Sequence, residues 1–408
     1  MLRKRSYVGK KPRRRKFRDL IFFFTAASII FSMIFYFNYK QTMIDVPDNL
    51  PKVYITCQHR INKYNYRDCV IDVDQDSTIA EIKIRGAFNA LFDKVGYRLR
   101  LYKQTSYLGM RTDDDWQLFA MYLDYPHMRV KLSFDLWRSL ESTNPTAILP
   151  DSKYVNVFIN EDYIGLYLLT EKNDRKLFGL DRGQDNMDSS LIFQLKDFCD
   201  LREYKSRTWE QDLPIPDEDT EIMDRILSSL IYFINNSSDS EFFNPNSGIY
   251  SIFDKTNLID FYVYNFFTQH LDFWNKNYFI MRNTYPSKFF LIPWDFDASF
   301  GQWHELKYAA NLNVEQQARD KNALYDRLLS DDSFRNDCKK RWFELREDLW
   351  TENYIMDMLF EMYEDIKDSI KISMAIYDLD DKADSYINYL IQWIPDRIEY
   401  CDYYFFEI

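Results

Sequence analysis

The sequence has few glycines, few histidines and no cysteine spacing that is typical of a metal site. Only 9 of the 408 residues are Gly, and neither a GxGxxG motif nor a Walker-type loop occurs, so the usual glycine-rich loops that hold nucleotide phosphates are absent. The 4 His are scattered and the 5 Cys form no CxxC pair, which argues against a structural zinc site. These absences leave carboxylate and amide side chains as the candidates for chemistry.

Charged residues are missing from one long apolar stretch, Leu20 to Tyr39. Twenty residues at helical rise span the hydrocarbon core of a bilayer, and no small-x-small cleavage site follows. The preceding segment, 1–19, is rich in Lys and Arg, which keeps that end cytoplasmic. We therefore predict a single-pass signal anchor in the cell membrane, with the remainder outside the cytoplasm. A cleaved signal peptide is the alternative, and it exports the same domain.

The predicted organisation is a basic cytoplasmic tail (1–19), a transmembrane signal anchor (20–39), a linker (40–52) and one large extracytoplasmic domain (53–408). Because the topology explains the basic tail, no nucleic-acid partner is predicted. Export places Cys57 and Cys69, which flank a short polar segment, in an oxidising compartment. A disulfide between them and a pair of free thiols both remain open.

Periodicity within the large domain predicts an α+β fold with a β-rich first part and an α-rich second part. Strand-like alternation occurs in "YRLRLY", and "KYVNVFINEDYIGLYLLTEK" is typical of a hairpin. We predict helices for "DWQLFAMYLD" and "PHMRVKLSFDLWRSLES", and an almost entirely helical chain after Gly301.

The stretch "HLDFWNKN" places Asp272 five positions before Asn277. The following segments "YFIMR" and "KFFLI" are strand-like and flank the turn "NTYPS". An antiparallel hairpin returns its ends to each other, so Asn277 and Asp295 are predicted neighbours at its base. Asp297 points to the same side if that segment is extended, and Asp272 lies one short loop before the hairpin.

Three carboxylates close together, with an amide beside them, repel one another unless a cation lies among them. Such oxygen ligands suit Mg²⁺ or Mn²⁺ together with phosphate. The order also matches protein kinases, in which four residues lie between a catalytic Asp and a metal-binding Asn, and a second metal-binding Asp follows. The spacing alone is common, so a capping Asp, a loop Asn and a surface acidic pair are the structural alternative.

Several blocks, in order, resemble the CotH kinase family, the spore-coat-protein-H-like proteins. The hairpin block with "LIPWDFDASFG" is one of them, and "IKIRGAFNALFDKVGYRLRLY" is another. The family's intermediate and C-terminal blocks are also resembled by "MYLDYPHMRVKLSFDLWRSL", "VNVFINEDYIGLYLLTEK" and "LYDRLLSDDSFRNDCKKRW". The resemblance covers residues 53–404, nearly the whole predicted extracytoplasmic domain.

The resemblance implies a two-lobed, atypical protein-kinase-like fold that phosphorylates Ser or Thr of an unknown protein acceptor with ATP and Mg²⁺ or Mn²⁺. It makes Asp272 the catalytic aspartate, and Asn277 and Asp295 metal ligands, with Asp297 as a further ligand or a turn acid. The implied nucleotide-binding residues are Arg85, Lys94, Arg98, Arg100 and Glu171. Arg85 has a core ion pair as its alternative role.

One block departs from the family pattern. Ala87-Phe88-Asn89 stands where the pattern has Asn-Ser-Ser, and Val95 replaces the second Lys of a pair. The departure favours, as an alternative, a non-catalytic member that organises a coat, an envelope or an adhesion surface. Transfer of AMP, and glycoside hydrolysis by Asp272 and Asp295, are further alternatives. Dependence on Asn277 and a metal would argue against hydrolysis.

Overall fold

A computed structural model describes residues 28–30, 32, 44–86, 89–183, 186–215, 221–379 and 382–408. The predicted basic tail lies outside these residues, and so does the predicted anchor except for 28–30 and 32. Within the described ranges, no helix is both long and apolar enough to cross a membrane. The anchor and the location outside the cytoplasm therefore stay predictions. Residues Pro47–Ile408 form one compact unit.

The first part of the compact unit is a closed barrel, in which the strands follow the order β1-β2-β3-β4-β5-β7-β6 and β1 closes on β6 in parallel. Its interior is an apolar core of its own. The alternation of apolar and polar residues along the strands explains the barrel. In β4, Leu99 and Leu101 point inward while Arg98 and Arg100 point outward, as predicted. The strands are β1 Lys52–Cys57, β2 Arg67–Val73, β3 Asp76–Ile84, β4 Tyr97–Ser106, β5 Thr112–Phe119, β6 Ser152–Ile159 and β7 Asp162–Glu171.

The helix predicted for "DWQLFAMYLD" is wrong, because the first half of that segment, residues 115–119, belongs to strand β5. Trp116 and Leu118 are fully buried in the barrel, and β5 pairs with β4 on one side and with β7 on the other. Met121 then takes a left-handed conformation, with φ of 53°. Long-range pairing and the burial of Trp116 outweigh the helical preference of Leu, Ala and Met.

The other local predictions in this part are confirmed. A helix, α1, covers Arg129–Arg138 within the second predicted helical segment. Strands β6 and β7 form the predicted hairpin, and its turn residues Asn160 and Glu161 have φ of 49° and 73°. Positive φ at both central residues is the geometry of the tight hairpin turn that fits strand twist.

A second, four-stranded sheet follows the barrel in the order β11-β10-β8-β9. Its strands are β8 Leu191–Leu195, β9 Trp209–Leu213, β10 Tyr278–Arg282 and β11 Phe290–Pro293. Strands β10 and β11 are the predicted hairpin. Strands β8 and β9 were not predicted from the sequence, and β8 joins the hairpin along β10.

Helices dominate the second part, so the prediction of an α+β fold with a β-rich first part and a helical second part is confirmed. They pack around a second, larger apolar core. Two short strands, β12 Gln302–Trp303 and β13 Leu306–Lys307, interrupt the helical region after Gly301. The helices are α2 Glu221–Asn236, α3 Asp239–Phe242, α4 Ile249–Ile252, α5 Lys255–Thr268, α6 Glu315–Lys321, α7 Ala323–Leu329, α8 Asp332–Glu347, α9 Glu352–Ala375 and α10 Ala383–Glu407.

Helix α9 fastens the barrel to the helical part. The hydroxyl of Ser373 accepts a hydrogen bond from the backbone N–H of Leu166 at 2.9 Å, and Asn156 donates to the hydroxyl of Ser369 at 3.1 Å. Gly165 has φ of +108°, and a Cβ at this position would lie 2.5 Å from the Ser373 hydroxyl. Only glycine permits this close approach of β7 to the helix.

Cys57 and Cys69 lie directly opposite each other on β1 and β2. Both side chains are buried, and all five cysteines of the chain are free thiols in this structure. The positions that the sequence suggested as a disulfide are therefore neighbours across two strands, while their oxidation stays a prediction.

Candidate active site

The β10–β11 hairpin brings the two ends of the predicted site together. Tyr278 pairs with Pro293, and the backbone N–H of Trp294 donates to the carbonyl of Asn277 at 2.8 Å. Asp295 follows directly. The predicted closeness of Asn277 and Asp295 at the base of the hairpin is confirmed.

Asn277 and Asp295 both have left-handed backbone conformations, with φ of 64° at each. The Asn277 side-chain amide donates to the carbonyl of Asp272 at 2.7 Å, which joins the loop after α5 to the start of the hairpin. The ring of His270 donates from Nε2 to the carbonyl of Asp295 at 2.7 Å. A left-handed conformation is uncommon for residues other than Gly, and such strain is concentrated at functional sites.

His270 is a positioning residue. Its ring is buried and lies between the rings of Phe273 and Phe296. Burial lowers the pKa of His270 to about 4, so the ring is neutral near pH 7. This agrees with a structural residue at the end of the helix.

The three predicted carboxylates interact with one another. Asp295 is exposed to solvent and Asp297 is half-buried, but protein surrounds them on most sides. Burial raises the pKa of Asp295, and the charge of Asp272 raises it further. Burial raises the pKa of Asp297 well above its usual value, with contributions from Asp295 and then Asp272. A cation bound among these carboxylates would offset their repulsion and lower their pKa values.

The donor set fits a divalent ion that is completed by phosphate. Within the described residues, no three or more His, Cys, Asp or Glu side chains converge as a metal cage. Mg²⁺ at phosphate sites takes one or two carboxylates together with phosphate oxygens and water. The residues that would hold it are Asn277, Asp295 and Asp297.

Two cations lie beside these carboxylates. The guanidinium of Arg85 lies 3.7 Å from the centre of the Phe119 ring, and Phe119 packs edge-on against Trp294. Burial and the charge of Arg98 lower the pKa of Arg85 to about 10, while Asp295 acts in the opposite direction. The acid that Arg85 faces is therefore Asp295 itself. The second cation, Lys276, lies 2.6 Å from the carboxylate of Asp272.

Arg98 extends this positive region towards the second sheet. Its charge lowers the pKa of Arg85 and also acts on Asp212 of β9. Burial raises the pKa of Asp212 to about 6 and Glu210 adds to the shift, whereas Arg98 and then Lys172 oppose it. Lys172 therefore acts on Asp212 as well, while its own ammonium lies 2.9 Å from the carboxylate of Asp115.

A model of the CotH kinase protein family matches residues 82–401. The chain belongs to the CotH family. It is 24% identical over 345 residues to the inner spore coat protein H of Bacillus subtilis (strain 168), a match that covers 81% of this chain and 88% of that protein. A crystal structure of a Helicobacter pylori proinflammatory kinase, CtkA, aligns with 76% of this chain and 94% of its own, at 12% identity and a TM-score of 0.28.

Three of the predicted nucleotide-binding residues have other partners in this CotH family member. Arg100 lies over the ring of Tyr66 at 4.3 Å and 3.8 to 3.9 Å from the carboxylates of Glu81 and Asp115. The carboxylate of buried Glu171 accepts from the backbone N–H groups of Arg111 at 2.9 Å and Asp151 at 3.0 Å. Glu171 thus fixes the ends of neighbouring strands.

Lys94 is the third of these residues, and it is buried between the barrel and α9. Its ammonium donates to the carbonyl of Leu166 at 2.6 Å, and it lies 3.2 Å from Nε2 of His127 and 3.3 Å from the hydroxyl of Ser373. Burial lowers the pKa of Lys94 to about 7. The structure therefore places Lys94 among structural partners rather than with the carboxylates.

We expect the Lys94→Met variant to lose part of the pH dependence of stability. In wild type, a folded-state pKa of about 7 lies below the unfolded value of about 10.4. The unfolded chain therefore binds more protons between these values, and the contribution of Lys94 to stability is lost as the pH falls from about 10 to about 7, by up to about 1.4 kcal/mol per pH unit. Urea unfolding of wild type, Lys94→Met and the exposed-site control Lys340→Met at three pH values measures it. Parallel curves for wild type and Lys94→Met would contradict this role.

Arg129 is a residue of the site that the sequence analysis missed. Its buried guanidinium forms an ion pair with Asp124 at 2.9 Å and donates to the carbonyls of Ser299 at 3.1 Å and Gln302 at 2.9 Å. It therefore holds the segment that follows Asp297, and its charge opposes the rise in the pKa of Asp297. The only signal in the sequence was an Arg at the start of a predicted helix, which carries no such information.

Proposed function

We propose that this CotH family member transfers the γ-phosphate of ATP to a Ser or Thr hydroxyl of a protein acceptor, with Mg²⁺ or Mn²⁺. The proposal includes a two-lobed kinase-like arrangement of barrel and helical part, and anchoring outside the cytoplasm by residues 20–39. The observation that carries it is that the hairpin brings Asn277 close to Asp295, whose carboxyl is affected by the charges of Arg85 and Asp272 and itself acts on Asp297.

In the proposed reaction, the acceptor oxygen forms a bond to the γ-phosphorus while the bond from that phosphorus to the β–γ bridging oxygen breaks, and ADP leaves. Asp272 orients the hydroxyl and takes its proton. Asn277, Asp295 and Asp297 would hold a divalent ion, which would supply neutralisation of charge on the phosphates. Arg85 and Arg98 are the cations proposed to face those phosphates. Positioning and charge neutralisation supply most of such catalysis.

Thermal unfolding of the full-length chain in mild detergent tests this proposal. We expect ATP with Mn²⁺ to stabilise wild type by about 2.7 kcal/mol at one hundred times its Kd, and to leave Asp295→Asn unchanged. Asp357→Asn removes the same charge at an exposed position of α9 and should respond as wild type does. Failure of wild type to respond would remove the support for a kinase.

A second candidate function is a non-catalytic CotH protein that organises a coat, an envelope or an adhesion surface. The specific observation in its favour is that Lys94, expected at the phosphates, is held instead by Leu166, His127 and Ser373. The relative from Bacillus subtilis is named a spore coat protein. The same titration separates the two functions, because only the kinase requires nucleotide binding.

A further inference from the structure

Lys276 introduces a positive charge among the carboxylates of the site. Its ammonium lies 2.6 Å from the carboxylate of Asp272 and 4.7 Å from the centre of the Phe198 ring. It also acts on Asp295, because its charge, after that of Arg85, lowers the pKa of that residue. One lysine therefore partly neutralises both the proposed catalytic acid and a proposed metal ligand.

The backbone on both sides of Lys276 is fixed, whereas its side chain is half-buried. The carbonyl of Asn275 accepts from the N–H of Cys199 at 2.8 Å, and the N–H of Asn277 donates to the carbonyl of Leu195 at 3.0 Å. The Lys276 side chain keeps 21% of its surface exposed, and a lysine ammonium is carried on a flexible four-carbon stem. The ammonium can therefore change partners while the loop stays in place.

We infer that Lys276 is the counter-ion of the carboxylates when no metal ion is bound, and that its ammonium moves from Asp272 to the phosphates when nucleotide and metal enter together. The inference rests on the proposed function and assigns a positioning residue to it. Movement of the ammonium would also leave the Asp272 carboxylate free to accept the proton of the acceptor hydroxyl.

The charges at the site give the reason. A divalent ion that arrives alone must approach carboxylates already neutralised in part by Lys276 and Arg85, and it is repelled by both cations. An ion that arrives with a triphosphate brings negative charge, which offsets that repulsion and offers the ammonium a new partner. Metal alone should therefore bind weakly, and nucleotide should strengthen its binding.

Binding of Mn²⁺ to the full-length chain, followed by electron paramagnetic resonance with and without a non-hydrolysable ATP analogue, tests the inference. We expect Lys276→Gln to bind Mn²⁺ alone more tightly than wild type, by about tenfold or more. The analogue should change the Mn²⁺ affinity of this variant less than that of wild type. Adding Asp295→Asn to Lys276→Gln should abolish the gain. Lys340→Gln, which removes an equal charge from an exposed position of α8, should behave as wild type.

The outcomes separate this inference from the proposed function. If the analogue strengthens Mn²⁺ binding in wild type but Lys276→Gln binds Mn²⁺ alone no better, the counter-ion role is overturned and the kinase proposal stands. If Lys276→Gln gains Mn²⁺ affinity through Asp295 but the analogue affects no variant, the counter-ion is supported, and both its movement to phosphate and the proposed function fail. Thermal unfolding of each variant shows that it is folded.

Discussion

The Asp272→Asn variant is expected to bind ATP and Mn²⁺ within a few-fold of wild type but to transfer phosphate about 10² to 10⁴ times more slowly. Asparagine has nearly the same shape but cannot take the proton of the acceptor hydroxyl. The loop should keep its conformation, because Asn277 donates to the backbone carbonyl of residue 272 and not to its side chain.

Transfer from γ-labelled ATP to a library of Ser- and Thr-containing peptides gives the rate, and thermal unfolding gives the binding. Asp357→Asn on α9 serves as the charge-matched control and should keep the wild-type rate. If Asp272→Asn loses nucleotide binding altogether, residue 272 is needed to bind the nucleotide and metal. If Asp272→Asn keeps the full rate of transfer, residue 272 has no catalytic role. The contrast with Asp295→Asn, which should lose binding itself, separates the two carboxylates.

The core of the site could be predicted because its parts are close in the sequence. Strands β10 and β11 and their turn occupy one short segment, so the hairpin follows from the pattern alone, although the pairing of Tyr278 with Pro293 differs by one residue from a hairpin centred on Pro286. That pairing places Asn277 beside Asp295, and the short loop after α5 supplies Asp272. Local hairpins carry their register in their own turns, which is why this prediction succeeded.

Strands β5, β8 and β9 could not be predicted in the same way, because their pairing is with distant segments. Residues 112–119 form strand β5 because they pair with β4 and β7. Strand β8 is ordered by pairing with β10. The consequence for the site is direct. The carbonyl of Leu195 in β8 holds the N–H of Asn277, and Asp212 of β9 comes to lie within the field of Arg98.

The lysines show a second limit of sequence reasoning. Lys94 was expected at the phosphates, but its acceptors come from residues 33, 72 and 279 positions away in the chain. Lys276 and Lys172 were not singled out, although Lys276 lies beside Asp272 and the charge of Lys172 acts on Asp212. Residue type and spacing show that an ammonium is present, whereas only the fold determines which groups surround it.

The Arg129→Met variant is expected to lower the free energy of unfolding by about 3 to 5 kcal/mol, because it leaves a buried carboxylate without its partner. Both side chains of the Arg129–Asp124 pair are fully buried. The carbonyls of Leu123, Ser299 and Gln302 would lose their donor at the same time. Methionine keeps most of the volume of the side chain, so the loss measures charge and hydrogen bonds rather than a cavity.

Arg138→Met is the matched control, since it changes the same residue type in the same helix at a half-exposed ion pair with Asp151. We expect it to cost less than about 1 kcal/mol, and urea unfolding measures both variants. Equal losses would show that Arg129 does not fix the segment after Asp297. If the loss is large, Arg129→Met should also weaken the stabilisation by ATP and Mn²⁺ under conditions where the chain is still folded, because Arg129 connects the loop before α1 to the segment that carries a proposed metal ligand.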